Sequence, residues 1–572
     1  MTNYFLKAYK KVNILNRKIK ETFSILLFKE LAFNPLLISF LINIFLYLLL
    51  FLITTPVYRS NDDIISNLTS AGFFGKENTE FLIFGNIIFG KLLKLFYDMS
   101  SQYNWYLLFL LFTQILSHIL ILYYLLKVCK KYISLFVYIC LFSIYSINLF
   151  TEISFSGTSL IALSGSLLIL YYILQKKGRE VSGYFWFFIL LLISLIIRKD
   201  TFLIFCYLFF IFPILFIRKW KDLLLILSFS IICNISLNAL NKYFYEKVDP
   251  LQLEYQKARV LFQDRNLYLT ETELEKTGWS NEDYNMYAGF KGIDNLFYNK
   301  KSVINNSKIV SYKLDFRRIL LSPYSLSLYF IGDIYYYSLG FIFLFFQFFH
   351  LRRTRKFLFS IISVWVLLFF ILGIIAVHYR LYIYYTILFY LCLVGAFLVL
   401  QKTNLLYCQS LLRKSGTYVI IILLFTVSIS LVRIIHNNKK IKNLNYPNFN
   451  IKVDELKSSN KRFLIIGDES EYIFGKLSIF QTYNNNIEVR LKELLIPIGW
   501  FINTIQFDRI VNGSVMHLLM DGDIYILGTD KDFFNSIKKF INVHYNLQVD
   551  FLELDDYKFS KAYKLISIDN VK

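Results

Sequence analysis

The 572-residue chain is 56% hydrophobic and 19% aromatic, carries a formal net charge of +22 and has a mean hydropathy of +0.49. Ordinary soluble domains do not have this composition. Apolar runs of about 20 residues recur through the first three quarters, each long enough to cross the hydrocarbon layer as a helix that satisfies its own backbone. A purely soluble protein is thereby excluded.

The predicted spans fall at 36–54, 105–126, 132–150, 156–174, 183–197, 201–217, 222–240, 328–350, 357–377, 381–400 and 417–435, eleven in all. Their interiors are nearly free of charge, and alternate gaps between them are strongly basic. One face collects Lys7, Lys10, Lys11, Arg17, Lys18, Lys20 and Lys29, then the clusters at 127–131, 176–179, 218–221, 352–356 and 402–414. Against these 23 basic residues stand only Glu21, Glu30, Glu180 and Asp222. The positive-inside rule makes that face cytoplasmic, with the N-terminus on it. The charge is therefore a topology signal, and nucleic-acid binding is not expected. The first span has no small-residue cleavage pattern behind it and reads as a retained span. All six cysteines, Cys129, Cys140, Cys206, Cys233, Cys392 and Cys408, fall in spans or on the cytoplasmic side, so no outer disulfide is expected.

Three stretches face the other side: 55–104, 241–327 and 436–572. In the first, Phe81 to Tyr97 is apolar at most positions but carries Lys91 and Lys94 in only 17 residues, which predicts an amphipathic interfacial helix in place of a span. In the second, S-N-E-D from Ser280 predicts a helix start, an N-cap followed by first-turn acids. The third opens with a polar linker. RFLIIGD from Arg462, DIYILGT from Asp523, VDFLEL near Val549 and YKLISI near Tyr563 then read as strands, and Lys531 to Tyr545 reads as a helix, which together predict a small α/β domain. The division expected is a membrane module over 1–435 and a C-terminal extracytoplasmic domain over 436–572.

The residues best suited to chemistry begin with R-S-N-D-D, Arg59 to Asp63, just past the outer end of the first span. A carboxylate held at the membrane surface can accept a proton from an acceptor hydroxyl. The alternative is a solvated loop with helix-capping acids. Other charges stand at outer helix ends: Glu152, the turn Arg198-Lys199-Asp200, and His378 with Arg380. Arg198 and Arg380 depart from the charge bias. An anionic ligand gripped by guanidinium groups is one reason for that departure, and a structural Arg198 to Asp200 ion pair is another. Glu152 fits a second active-site acid, a metal ligand or a helix cap. Arg259, Asp264, Trp279, Asp283 and Tyr284 offer groups for sugar hydroxyls and ring faces, His118 reads as a satisfied interior histidine, and Asp333 as a cavity-lining acid.

An acidic first outer loop bearing Asn61, Asp62 and Asp63, an interfacial helix, many spans and an outer C-terminal domain together resemble the C-type glycosyltransferase superfamily. The string N-D-D-I-I-S-N-L-T-S-A-G-F-F-G from Asn61, continuing to F-G-N-I-I-F-G-K-L-L at Phe84 to Leu93, is also similar to bacterial membrane proteins described as glycosyltransferases. The resemblance implies a polytopic α-helical fold. It also implies a sugar donor on a polyprenyl phosphate or diphosphate, a glycan, lipid or protein acceptor, and a catalytic base in the Asp62, Asp63 pair. No cofactor is implied, and a divalent metal is left open because the superfamily varies in metal use. On this reading Arg59, Asn61, Glu152, Arg198, His378, Arg380, Arg259 and Asp264 contact substrate in the inner membrane of a bacterium. A transporter or flippase of lipid-linked glycans would place charges at span centres and show related halves, neither of which the sequence has. An O-antigen-type polymerase fits the outer C-terminal domain less well, and an envelope scaffold would leave the acidic pair unused.

Reporter fusions are expected to place Lys177 and Lys356 in the cytoplasm and residue 450 outside. A cytoplasmic signal at 450 would show that Phe81 to Tyr97 spans the membrane after all.

Overall fold

The structure is a computed structural model that describes residues 34–72, 77–128, most of 134–176, 180–209, 219–263, most of 269–310, parts of 428–439 and, in the C-terminal region, 462–465, most of 495–527, 531–554 and 562–567. The expected spans at 328–350, 357–377 and 381–400, and with them Asp333, His378 and Arg380, lie outside the described residues, as does Asp264.

The helices in chain order are α1 (Pro35–Ile53), α2 (Asn61–Ser70), α3 (Ile87–Met99), α4 (Trp105–Val128), α5 (Ile147–Thr151), α6 (Phe155–Gln175), α7 (Val181–Ile197), α8 (Thr201–Phe209), α9 (Trp220–Val248), α10 (Gln252–Gln263), α11 (Glu271–Thr277), α12 (Asn281–Ala288), α13 (Lys300–Ile309), α14 (Ile505–Ile510), α15 (Val515–Met520) and α16 (Lys531–Tyr545). The strands are β1 (Val57–Tyr58), β2 (Glu152–Ile153), β3 (Arg462–Ile465), β4 (Leu495–Pro497), β5 (Ile524–Leu527), β6 (Val549–Leu554) and β7 (Ala562–Ser567). Among the described residues, α1, α4, α6 and α9 are long and apolar enough to cross a membrane, and α7 is apolar over 17 residues. The chain is helix-rich, and its long apolar helices are those of a membrane-embedded protein.

Local chemistry explains where these helices start. Asn34 caps α1, its side chain accepting from Leu36 N at 3.0 Å, and Pro35 fills the first position, where its missing N–H costs nothing. Ser154 caps α6 by accepting from Gly157 N at 3.0 Å. α6 is the buried centre of the bundle, packed between α4 and α7. Small residues let it approach: a Cβ on Gly165 would stand 2.7 Å from Leu190 Cδ1, and Ser159 Oγ donates to Ser194 O at 2.9 Å. Close packing of small residues and short polar links holds helices together where lipid supplies no hydrophobic drive. His118 is indeed an interior histidine with both ring nitrogens engaged, by Tyr47 Oη at 2.9 Å and Ser146 Oγ at 2.5 Å. Ser146 ends a π-helical turn, Phe142–Ser146, within the expected third span.

The two ends of the bundle differ in chemistry. At one end Glu180 binds Lys127 and Lys176, each at 2.8 Å, tying α4, α6 and α7 together. At the other lie the C-terminal ends of α1, α7 and α9 and the N-terminal ends of α4 and α6, with the outer loops. Asn438 joins this end, donating to Ile53 O at 3.0 Å and accepting from Thr54 Oγ1 at 2.9 Å.

Two boundaries differ from the sequence expectation. The interfacial helix starts at Ile87, where Asn86 caps it, so Phe81 to Asn86 is irregular and the helix has 13 residues, too short to span. Lys91 sits 3.0 Å over the Phe244 ring and Lys94 pairs with Glu80 at 3.1 Å. α9 runs eight residues past the expected end at 240, because Asn241 and Tyr245 are held by the first outer loop: Asn241 Oδ1 accepts from Ile87 N at 3.0 Å, and Tyr245 Oη donates to Leu82 O at 2.9 Å.

The stretches expected on the outer side form a second core. Ser280 caps α12 as expected, and Asp283 reaches back to complete a capping box with it. The C-terminal strands form one sheet in the order β4-β3-β5-β7-β6, with β3, β4 and β5 parallel and β7 antiparallel to β5 and β6. Its apolar face is continuous with Tyr255, Phe262, Trp279 and Tyr298 of the middle loop and with Ile64, Ile65 and Leu68 of α2. Lys300 bridges Asp249 at 2.5 Å and Asp508 at 2.6 Å, and Tyr545 Oη donates to Asp294 at 2.6 Å. The C-terminal α/β unit thus shares its core with the loops of the membrane module.

Gly90 of α3 is where the first outer loop crosses closest: a Cβ there would stand 1.9 Å from the Glu80 carbonyl oxygen. In a free helix Gly→Ala gains up to about 1 kcal/mol, whereas overpacking against backbone costs about 1–3 kcal/mol. Gly90→Ala is therefore expected to lower the thermal unfolding midpoint of the detergent-solubilised protein; a raised midpoint would show that the crossing gives way freely.

Candidate functional site

The site grows from a short parallel pairing. β1, leaving the first span, pairs with β2, which leads into α6: Val57 lies opposite Glu152, Tyr58 opposite Ile153, and Arg59 N donates to Ile153 O at 2.9 Å. This pairing lays the loop that carries Arg59 to Asp63 against the first turn of α6 and brings Glu152 beside it. Arg59, Asp62 and Glu152 are half-buried, while Asp63 is fully buried.

Asp63 occupies the third position of α2, where a capping-box acid would reach back to the backbone of its cap. It turns elsewhere. Oδ1 accepts from Phe155 N at 2.7 Å and from Tyr106 Oη at 3.3 Å, and Oδ2 accepts from Ser60 Oγ at 2.7 Å. Phe155 N is one of the four N–H groups that the first turn of α6 leaves without a helical partner, and a carboxylate is favoured there by the helix dipole. Burial nonetheless dominates and pushes the carboxyl up from 3.8 to about 7, against the downward pull of Phe155, Ser60 and Tyr106 and with a further push from Asp62. Desolvation disfavours the charged form more than three donors favour it. The folded protein thus binds this proton more tightly than the unfolded chain. The stability it contributes is full below about pH 4 and is lost as pH rises to about 7.

Arg198 reaches the same helix end from the turn between α7 and α8. Its Nη1 donates to Ser156 Oγ, its guanidinium stands 5.4 Å over the Phe155 ring, and Asp200 is only a distant partner at 3.9 Å. Its Nε is buried without a hydrogen-bond partner. Asp63 and Arg198 thus flank Phe155, one on its backbone and one on its ring, although they are far apart in sequence. Ser60, Tyr106, Ser156 and the Phe155 N–H complete the site. Ser60 was adjacent to the acidic pair and could have been suspected, whereas Tyr106 and Ser156 look like ordinary starts of apolar helices.

Other expectations need correction. Trp279 is buried among the rings of Phe262, Tyr287 and Tyr298, and Tyr284 is buried edge-on to Phe262, so neither ring lies open at a surface to meet a sugar. Asp283 caps α12 and pairs with His544 Nε2 at 2.8 Å. Arg259 lies on α10 and is 2% exposed, its Nη1 donating to Gln263 Oε1 at 3.1 Å. Asn61 begins α2 beside the acidic pair. Among the described residues no group of three or more histidine, cysteine, aspartate and glutamate side chains is gathered to hold a metal ion. Comparison with models of known protein families, with characterised proteins and with solved structures finds no match for this chain.

Proposed function

We propose that the chain is a membrane glycosyltransferase that moves a sugar from a polyprenyl-phosphate-linked donor to a glycan, lipid or protein acceptor of the cell envelope. The observation that carries this reading is Asp63. It is a buried carboxyl held near neutrality at the membrane-facing end of the first outer loop, with the half-buried acids Asp62 and Glu152 beside it and a guanidinium across one aromatic ring. A general base works best when its pKa lies near the working pH. The half-buried hydroxyl of Ser60 links Asp63 to the outside: as the acceptor hydroxyl attacks the sugar's anomeric carbon, its proton passes to Ser60 Oγ and the Ser60 proton passes to Asp63 Oδ2. The bond from the anomeric carbon to the phosphate oxygen breaks, and that oxygen leaves with its electron pair as phosphate. Asp62 and Glu152 orient the acceptor, and Arg198 and Arg380 steady the departing charge. Attack opposite the leaving group inverts the anomeric centre.

The same proposal places the protein in a bacterial inner membrane with about eleven spans. The Lys127, Glu180, Lys176 end lies in the cytoplasm, and the Asp63 site with the C-terminal α/β unit lies outside. The basic gaps support that orientation.

Asp63→Asn keeps the side chain's size and its hydrogen bonds to Phe155 and Ser60 while removing the proton acceptor. It is expected to lower transfer by about 10²–10⁴-fold, with membrane insertion and donor binding retained, and the wild-type rate is expected to rise with pH through about 7. Transfer is assayed with purified protein against a panel of polyprenyl-phosphate sugars. Undiminished transfer by the Asp62→Asn, Asp63→Asn double variant would sink the assignment, and loss in Asp62→Asn alone would move the base to Asp62.

A further inference from the structure

The end of the bundle opposite the Asp63 site draws together cations that its own acids do not balance. Glu180, the residue before α7, binds Lys127 of α4 and Lys176 at the close of α6, each at 2.8 Å. Lys219, the residue before α9, donates from Nζ to the Lys176 carbonyl oxygen at 2.6 Å, which ties the start of α9 to the end of α6. α9 also lies beside α7, with the Phe188 and Phe229 rings 4.3 Å apart. Lys221, exposed in the first turn of α9, stands 5.8 Å over the Trp220 ring.

Four lysines therefore share one corner with Glu180 and Asp222, the acids of these helix ends among the described residues. Glu180 is already engaged by two ammonium groups, and the acceptor that Lys219 reaches is a neutral carbonyl. The Lys176 side chain remains about half exposed, so its ammonium has donors to spare. Around the corner the first turns of α7 and α9 turn apolar groups outward: Val181 with Phe185, and Trp220 with Leu224, each pair one turn apart and exposed. A dissolved anion would satisfy the lysines and leave those side chains in water. An anionic phospholipid answers both needs, its phosphate meeting the ammonium groups and its acyl chains the apolar faces. Basic pockets between helix ends recognise head groups in this way, and an indole at that level is an interfacial anchor.

We propose that Lys176, Lys219 and Lys221, with Trp220, form a binding site for the head group of an anionic phospholipid whose acyl chains lie along the exposed faces of α7 and α9. Glu180 fixes the corner, and Lys219 and Lys221 supply the charge that the head group neutralises. Bound lipid stabilises the bundle, because it binds the folded helix ends and not the unfolded chain. The site uses no residue of the Asp63 region and stands apart from the transferase reading.

The test uses the full chain in nanodiscs of phosphatidylcholine with a rising share of phosphatidylglycerol, read by the thermal unfolding midpoint. Phosphatidylglycerol is expected to raise the midpoint saturably, and less so at high salt. Lys219→Gln with Lys221→Gln is expected to weaken its apparent affinity about tenfold. Lys242→Gln, at the far end of α9, is expected to leave it unchanged. Inorganic phosphate added to phosphatidylcholine nanodiscs is expected to have no such effect; an equal effect would make the corner a site for a free anion and overturn the lipid assignment. Equal midpoints with and without phosphatidylglycerol, or a response unaltered in the double variant, would also overturn it. Should Lys219→Gln fail to fold, Lys221→Gln alone carries the decision, since its side chain is exposed.

Discussion

The bond from Phe155 N to Asp63 is the contact on which this end of the molecule depends. It joins the first outer loop to the first turn of the most buried helix, and it satisfies a backbone donor that would otherwise be orphaned at a buried helix start. Because Asp63 is the third residue of α2, fixing its carboxyl also fixes that helix. The opposite face of α2, with Ile64, Ile65 and Leu68, then enters the outer core. One side chain therefore sets the position of the acidic loop relative to the bundle and relative to the C-terminal unit.

That arrangement has an electrostatic consequence. Three hydrogen bonds favour the carboxylate, and in water they would depress its proton affinity. In a fully enclosed site the lost hydration outweighs them, so the group is left balanced between its two states near neutrality. Salt bridges elsewhere in the outer layer, such as Lys300 with Asp249 and Asp508, pair opposite charges in the ordinary way. At the site itself Asp63 and the Arg198 guanidinium stand on two sides of Phe155, one on its backbone and one on its ring.

Much of the scaffold could be read from the chain because bilayer physics writes itself into composition. Runs of apolar residues broken by basic gaps located α1, α4, α6, α7 and α9 to within a residue or two at most ends, and β-rich runs, the first two ending at glycine, located β3, β5, β6 and β7. The cap at Ser280 was legible for the same reason, a local pattern with a local cause. The end of α9 was not, since distant partners, Ile87 N and Leu82 O, extend it. Within the site, Asp62, Asp63, Glu152 and Arg198 were legible as charges at helix ends. Their relation to one another was not, because it rests on a two-residue strand pairing and on an aromatic ring, neither of which leaves a sequence pattern. The middle loop misled for a related reason: aromatic residues that bind sugars and aromatic residues that fill a core are the same residues, and only burial distinguishes Trp279 as the second kind.

The account stands on the proton affinity of one side chain, and difference infrared spectroscopy can read it directly. The protonated carboxyl band that is present in the wild-type protein and absent in Asp63→Asn should fade with a midpoint near pH 7 as the solution is made alkaline. A midpoint near the ordinary carboxylate value of 3.8 would contradict it, because Asp63 would then be a plain ionised anchor for α6 with no capacity to take up a proton.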